Sequence, residues 1–198
     1  MTASGDRTLS RADVLRAALA AGGGALAGGL VGRAPRAGAG PVQAADVEIL
    51  NLALLLEYVQ AAFYSEAVAR RRLGGELREF AVVVSGHERA HERALRALLG
   101  PAGRRPPRLA FGDATADPDR FAATAHDLEE MAVSGYNAQA ANLSERTLGP
   151  VLRIVSVEAR HSAWVSDILG REPAPRAADP PASFADVSRS LDRLGFVR

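Results

Sequence analysis

Residues 85–95 read SGHERAHERAL, and two chemistries compete for them. His87-Glu88-x-x-His91 has the spacing of a zinc peptidase helix, with two histidines on one ion and the glutamate as base. Glu88-x-x-His91 taken alone is the second reading, since residues three apart share a helical face and can grip one ion from a carboxylate and an imidazole. The peptidase needs a third protein ligand and a substrate cleft. The second reading needs partners elsewhere in the chain.

Those partners are present as a repeat. Leu56-Glu57 is followed by Tyr64 and Leu128-Glu129 by Tyr136, with Glu and Tyr seven residues apart in both. Glu88-x-x-His91 comes 31 residues after Glu57, and Glu158-x-x-His161 comes 29 after Glu129. The chain therefore reads as two hairpins of one design, each giving a Glu from its first helix and Glu-x-x-His from its second. With 12 Glu and 4 His, chance supplies only about 0.24 of a Glu-x-x-His match. The peptidase reading explains nothing in the second hairpin.

Around these residues the apolar spacing is helical, with no alternating run long enough for a sheet, so the fold class is all-α. The first helix is expected from Asp46, as N-cap, to just before Gly74-Gly75. The second carries Phe80, Val84, His87, His91 and Leu95 and stops at Gly100-Pro101. The third starts at Asp117-Pro118, a cap followed by the residue favoured at the first helical position. The fourth is expected after Gly149-Pro150. Short links make antiparallel pairs of helices one and two and of three and four. The residues GPAGRRPPRLAFGDATAD between helices two and three can extend about 60 Å, more than the ~36 Å height of a 24-residue helix. That length permits a four-helix bundle with one long crossover, the ferritin-like topology. All four glutamates fall near mid-helix, at one level of such a bundle. An ionised carboxylate buried there without a partner would take up a proton, whereas two divalent cations would neutralise all four.

The segments LEYVQAAFY, HERAHERAL, LEEMAVSGY and VEARHSAWV resemble those of ferritin-like di-metal carboxylate proteins, over about residues 46–170. More narrowly, the sequence is similar to the exported ferritin-like family that includes desiccation-related proteins. The resemblance implies two divalent ions, iron or manganese, with Glu57 and Glu129 as terminal ligands, Glu88 and Glu158 as bridges, and His91 and His161 completing the two ions. It also implies a centre redox-active toward dioxygen or peroxide, or else a stress-protective or structural bundle without catalysis. Glu92 and Glu130 break the pairing and rank second as ligands. His87 is read as a support for the ligands, a surface histidine or a satisfied core histidine, and His126 as exposed. Tyr64 and Tyr136 are either core filler or hydrogen-bond donors to the carboxylates.

Composition narrows the partners. All 24 basic residues are Arg, yet the net charge is only +1, which gives no basic field for nucleic acid. Zero Cys removes thiolate ligands and nucleophiles, so a metal must be held by carboxylate and imidazole. Residues 1–45 read as an export leader, or else as a disordered or membrane-tethering tail: Arg7, Arg11 and Arg16 precede AALAAGGGALAGGLVG, and Val42-Gln43-Ala44 offers small residues for a signal peptidase. The apolar run is too short and Gly-rich for a stable membrane span. Thr8–Leu15 resembles a twin-arginine signal with Ala12 in place of the second Arg. Removing residues 1–44 takes five Arg and two Asp and leaves a mature chain of about −2. Residues 171–198 form a Pro-rich tail in which PASFADVSRSLDRLGF suits a short helix packed on the bundle. The partners implied are metal ions, with self-association into a homo-oligomer compatible with this reading.

Overall fold

A computed structural model describes residues 42–198; the basic start and apolar run of the expected leader lie outside the described residues. Five α-helices follow in order: α1 (Ala44–Arg70), α2 (Gly75–Leu99), α3 (Pro118–Ala140), α4 (Glu145–Ile168) and α5 (Phe184–Leu194). Among the described residues there is no strand, only a single antiparallel bridge between Leu109 and Val197. Helix α1 pairs with α2 and α3 with α4, and the two pairs pack α1 on α3 and α2 on α4. The all-α, ferritin-like bundle expected from the sequence is the fold observed.

Helix α1 is buried almost all round, from Leu50 to Ala67. It alone is long and apolar enough to cross a membrane among the described residues, but 72% of that stretch lies inside the bundle. Its apolar residues divide between two clusters. Toward the C-terminal end of α1, Phe63 stacks on Phe121 with centroids 5.1 Å apart and meets Tyr64 and Phe111 edge-on. Toward its N-terminal end, Leu50, Leu54 and Tyr58 pack with Leu95, Leu99, Tyr136, Val151 and Ile154. Between these clusters lies a polar layer at Glu57.

Two helix starts differ from the sequence expectation. Asp46 does not cap α1, which begins at Ala44 after Gln43. Its buried carboxylate instead accepts the backbone N–H of Ser144 at 3.1 Å and the Thr147 hydroxyl at 2.8 Å. It therefore satisfies the N-terminus of α4, a partner nearly a hundred residues away. Gly149-Pro150 does not open α4 either; the helix starts at Glu145 and Pro150 sits inside it. A proline this near the N-terminus removes one intrahelical donor while the turns beyond continue. The earlier start places Glu158 thirteen residues past Glu145, matching Glu57 past Ala44 and Glu88 past Gly75.

The crossover from Gly100 to Asp117 climbs along α1. Asn51 donates to the Ala102 carbonyl at 3.0 Å and accepts the Arg104 N–H at 2.7 Å, while Tyr58 donates to the Arg104 carbonyl at 3.0 Å. Near the top, Thr115 donates to Glu66 at 2.6 Å. Asn51 and Glu66 are separated by about 22 Å of helix axis, so the loop is pinned at both ends of its climb. The tail then straps α3. Ser183 and Asp186 form a capping box at the start of α5, and Val187 and Leu191 bury their side chains. Gly135 allows this approach, because a Cβ there would lie 3.0 Å from Val187 Cγ2. Gly135→Leu is expected to lift α5 from α3 and cost about 1–3 kcal/mol, read as a lower midpoint in urea unfolding.

Candidate metal centre

The polar layer contains Glu57, Glu88, Glu129 and Glu158, all fully buried, with His91 and His161 at its side. Each enters from mid-helix, and the i, i+3 spacing puts Glu88 with His91 on one face of α2 and Glu158 with His161 on one face of α4. His91 Nδ1 lies 2.7 Å from Glu158 Oε1, 3.4 Å from Glu88 Oε2 and 3.6 Å from Glu57 Oε2. His161 Nδ1 lies 3.1 Å from Glu88 Oε1, 3.3 Å from Glu129 Oε2 and 3.4 Å from Glu158 Oε2. Glu88 and Glu158 thus turn one oxygen toward each imidazole.

Two overlapping sets result. One ligand atom each from Glu57, Glu88, His91 and Glu158 lie within 4.8 Å of one another, and so do those from Glu88, Glu129, Glu158 and His161. The six residues singled out by the repeat are brought together, with Glu88 and Glu158 common to both sets. Although their ion contacts are short, both Nδ1 atoms, both oxygens of Glu88 and Glu158, and Oε2 of Glu57 and Glu129 lack a hydrogen-bond partner. The groups crowd one another without aiming at one another. Buried polar atoms that converge on one another without hydrogen bonds are the arrangement a cation satisfies.

The outward-facing oxygens are held from behind. Tyr64 on α1 donates to Glu129 Oε1 on α3 at 2.5 Å, and Tyr136 on α3 donates to Glu57 Oε1 on α1. The tyrosines therefore serve the opposite hairpin, and of the two roles open to them the carboxylate-donor role is the observed one. Burial, then the nearby carboxylates, push both phenols well above their usual range, so they remain O–H donors. Gln60 Nε2 adds a second donor to Glu129 Oε1 at 3.2 Å. In the sequence its one signal is a polar residue one turn past Glu57.

His87 stays out of both sets. It is exposed, its ring stacks on His161 at 5.1 Å, and its Nδ1 lies 2.9 Å from His161 Nε2. The zinc peptidase geometry, which needs His87 and His91 on one ion, is absent. Glu92 pairs with Arg96, and Glu130 accepts from the Ser162 hydroxyl and faces Arg176, so neither joins the layer. His126, expected to be exposed, is half-buried beside Arg171 and Asp127.

These contacts set the protonation of the metal-free layer. Burial alone would lower His91 and His161, but the surrounding carboxylates push both up to about 12. Burial, then Glu158, raise Glu88 well above the carboxylate range, and burial lifts Glu158 to about 7 against the pull of both histidines. Burial opposes ionisation of Glu129 too, yet His161 and the Tyr64 hydroxyl hold it below the usual range.

With four carboxylates and two imidazoles drawn together in an apolar interior, the site has donors that fit a divalent cation. The chain belongs to the ferritin-like domain family, whose model matches residues 45–171. No curated protein matches the chain.

The sign of the pH dependence follows. For Glu158, Glu88, His91 and His161 the folded pKa is raised, so their contribution is fully present below the unfolded values and is lost as pH climbs through the folded ones. Metal-free protein is expected to melt lower as pH rises from about 5 to about 8. A divalent ion must displace protons from His91, His161 and Glu88, so Mn(II) should raise the melting temperature more at the upper pH. Thermal melts with and without Mn(II) across this range check both slopes.

Proposed function

We propose that the protein binds two divalent ions, iron or manganese, one between Glu57, Glu88, His91 and Glu158 and the other between Glu88, Glu129, Glu158 and His161. The observation that carries this reading is the split of Glu88 and Glu158, each with one oxygen toward each histidine and none hydrogen-bonded. Glu57 and Glu129 serve as terminal ligands, each held by one oxygen on a tyrosine so that the other faces its ion. A set of six hard carboxylate and imidazole groups suits iron and manganese and lacks the thiolates that favour softer ions. Bound there, the pair would supply electrons to dioxygen or peroxide.

The chain's own part is to place, shield and neutralise. The aromatic cluster of Phe63, Tyr64, Phe80 and Phe121 closes one side of the layer and the Leu50–Leu95 cluster the other, so water is kept from the gap and each charge contact strengthens. Tyr64 and Tyr136 fix the rotamers of the terminal carboxylates. A bundle that keeps its ions for stability alone, as a stress-protective scaffold, is the second reading. Mixing Fe(II)-loaded protein with dioxygen or with peroxide separates the two: oxidation faster than for iron free in buffer supports the redox centre, and unaltered iron with intact binding supports the scaffold.

Binding itself is tested by elemental analysis. His91→Ala and His161→Ala are each expected to lose one ion. Glu88→Ala and Glu158→Ala should lose the most, because each removes a ligand of both. Saturating Mn(II), at about 100 times Kd, should add about 2.7 kcal/mol per site to wild-type stability. Wild type that carries no metal and melts alike with and without Mn(II) contradicts the reading.

Export places this centre in the cell envelope or outside the cell, as in the exported, desiccation-related branch that the sequence resembles. The support is the basic start, the Gly-rich apolar run and the Val42-Gln43-Ala44 site. Mass spectrometry of envelope and secreted fractions should find a chain starting near Ala45, and full-length protein confined to the cytosol contradicts it.

A further inference from the structure

Aligning the two hairpins through Glu57 with Glu129 and Glu88 with Glu158 exposes two places where the repeat fails. Gln60, three residues past Glu57, corresponds to Ala132, three past Glu129. His87, just before Glu88, corresponds to Val157, just before Glu158. Both polar residues act across the bundle, and both act on the same half of the site. Gln60 donates to Glu129 Oε1 alongside Tyr64, while His87 Nδ1 meets His161 Nε2 at 2.9 Å. By the symmetry of the repeat, Glu57 would take its second donor from Ala132 and His91 its partner from Val157, and neither side chain can hydrogen-bond. Glu57 keeps Tyr136 as its single donor in this structure.

The consequence is a difference in preorganisation. His161 Nε2 meets His87 Nδ1 at 2.9 Å, which fixes the ring with Nδ1 turned toward Glu88, Glu129 and Glu158. Two donors on Glu129 Oε1 lock the carboxylate with Oε2 turned inward. His91 has no such partner, and its side chain is 11% exposed against 4% for His161. An ion entering the His161 half meets ligands already ordered, whereas one entering the His91 half must order its imidazole and shed more water.

We infer that the two ion positions are unequal, the Glu129–His161 position filling first, and that Gln60 and His87 are the positioning residues that set this order. The inference rests on the two-ion reading above and assigns both outer contacts to the first step of loading. His87 reaches the ion only through His161, and Gln60 only through Glu129. Loss of either changes affinity while the ligand set is complete.

The test is titration of the metal-free full chain with Mn(II), free Mn(II) being read by its electron paramagnetic resonance signal. Wild type should fill in two steps separated by about tenfold or more. His87→Ala should weaken the first step by about tenfold and leave the second; His87→Asn, whose Oδ1 can replace Nδ1 as acceptor, should restore it. Gln60→Met should act in the same direction as His87→Ala, and Tyr136→Phe should weaken the second step instead. His87 is exposed, so its variants are expected to melt like wild type without metal, which separates positioning from folding. Two ions bound with equal affinity, or His87→Ala and His87→Asn weakening both steps alike, would overturn the inference and leave the two-ion reading standing. Failure to bind Mn(II) at all would overturn both.

Discussion

Four carboxylates buried at one level of an apolar bundle are the constraint on which the rest depends. Left ionised and alone, each would cost several kcal/mol, so the surroundings must supply positive charge or protons. The supply is local: the surrounding carboxylates push His91 and His161 up to about 12, while burial raises Glu88 and Glu158. The layer is nevertheless short of hydrogen bonds, with its inward atoms crowded together. Cations would resolve that shortage without moving a helix, because Glu88 and Glu158 already face both halves.

The remaining architecture keeps the four helices at the register this layer demands. Glutamates thirteen, thirteen, eleven and thirteen residues past Ala44, Gly75, Pro118 and Glu145 meet only if the hairpins neither slide nor splay. Three cross-links oppose sliding. Tyr64 and Tyr136 tie each hairpin to the other's terminal carboxylate, Asp46 joins the start of α1 to the start of α4, and the crossover is bonded to α1 at Asn51, Tyr58 and Glu66. Phe196, near the end of the chain, closes on Phe111 and Phe63, so the tail covers the aromatic end of the core.

The bundle and the six-residue cluster were legible because their signals are local or repeated. Glu-x-x-His fixes two groups on one helical face, and its recurrence at matched distances from Glu57 and Glu129 fixes the pairing of hairpins. What escaped depends on contacts across the chain. Asp46 looked like a cap for its own helix because capping is normally local, yet its carboxylate serves Ser144 and Thr147. Pro150 looked like a helix start because proline is a strong punctuator, but the first turn of α4 tolerates it downstream. The tyrosine spacing gave a face and not a partner, and the choice of the opposite hairpin's glutamate arises only when the bundle closes. Gln60 and the His87–His161 stack were hidden for the same reason.

In the proposed centre Glu88 and Glu158 each belong to two ions. Anomalous scattering from crystals of Mn(II)-loaded protein, collected on both sides of the manganese edge, tests it most directly. Two peaks are expected about 3.5–4 Å apart, both between Glu88 and Glu158, with one near His91 Nδ1 and the other near His161 Nδ1. A single peak bound by one histidine, or no anomalous density in the carboxylate layer, would contradict it.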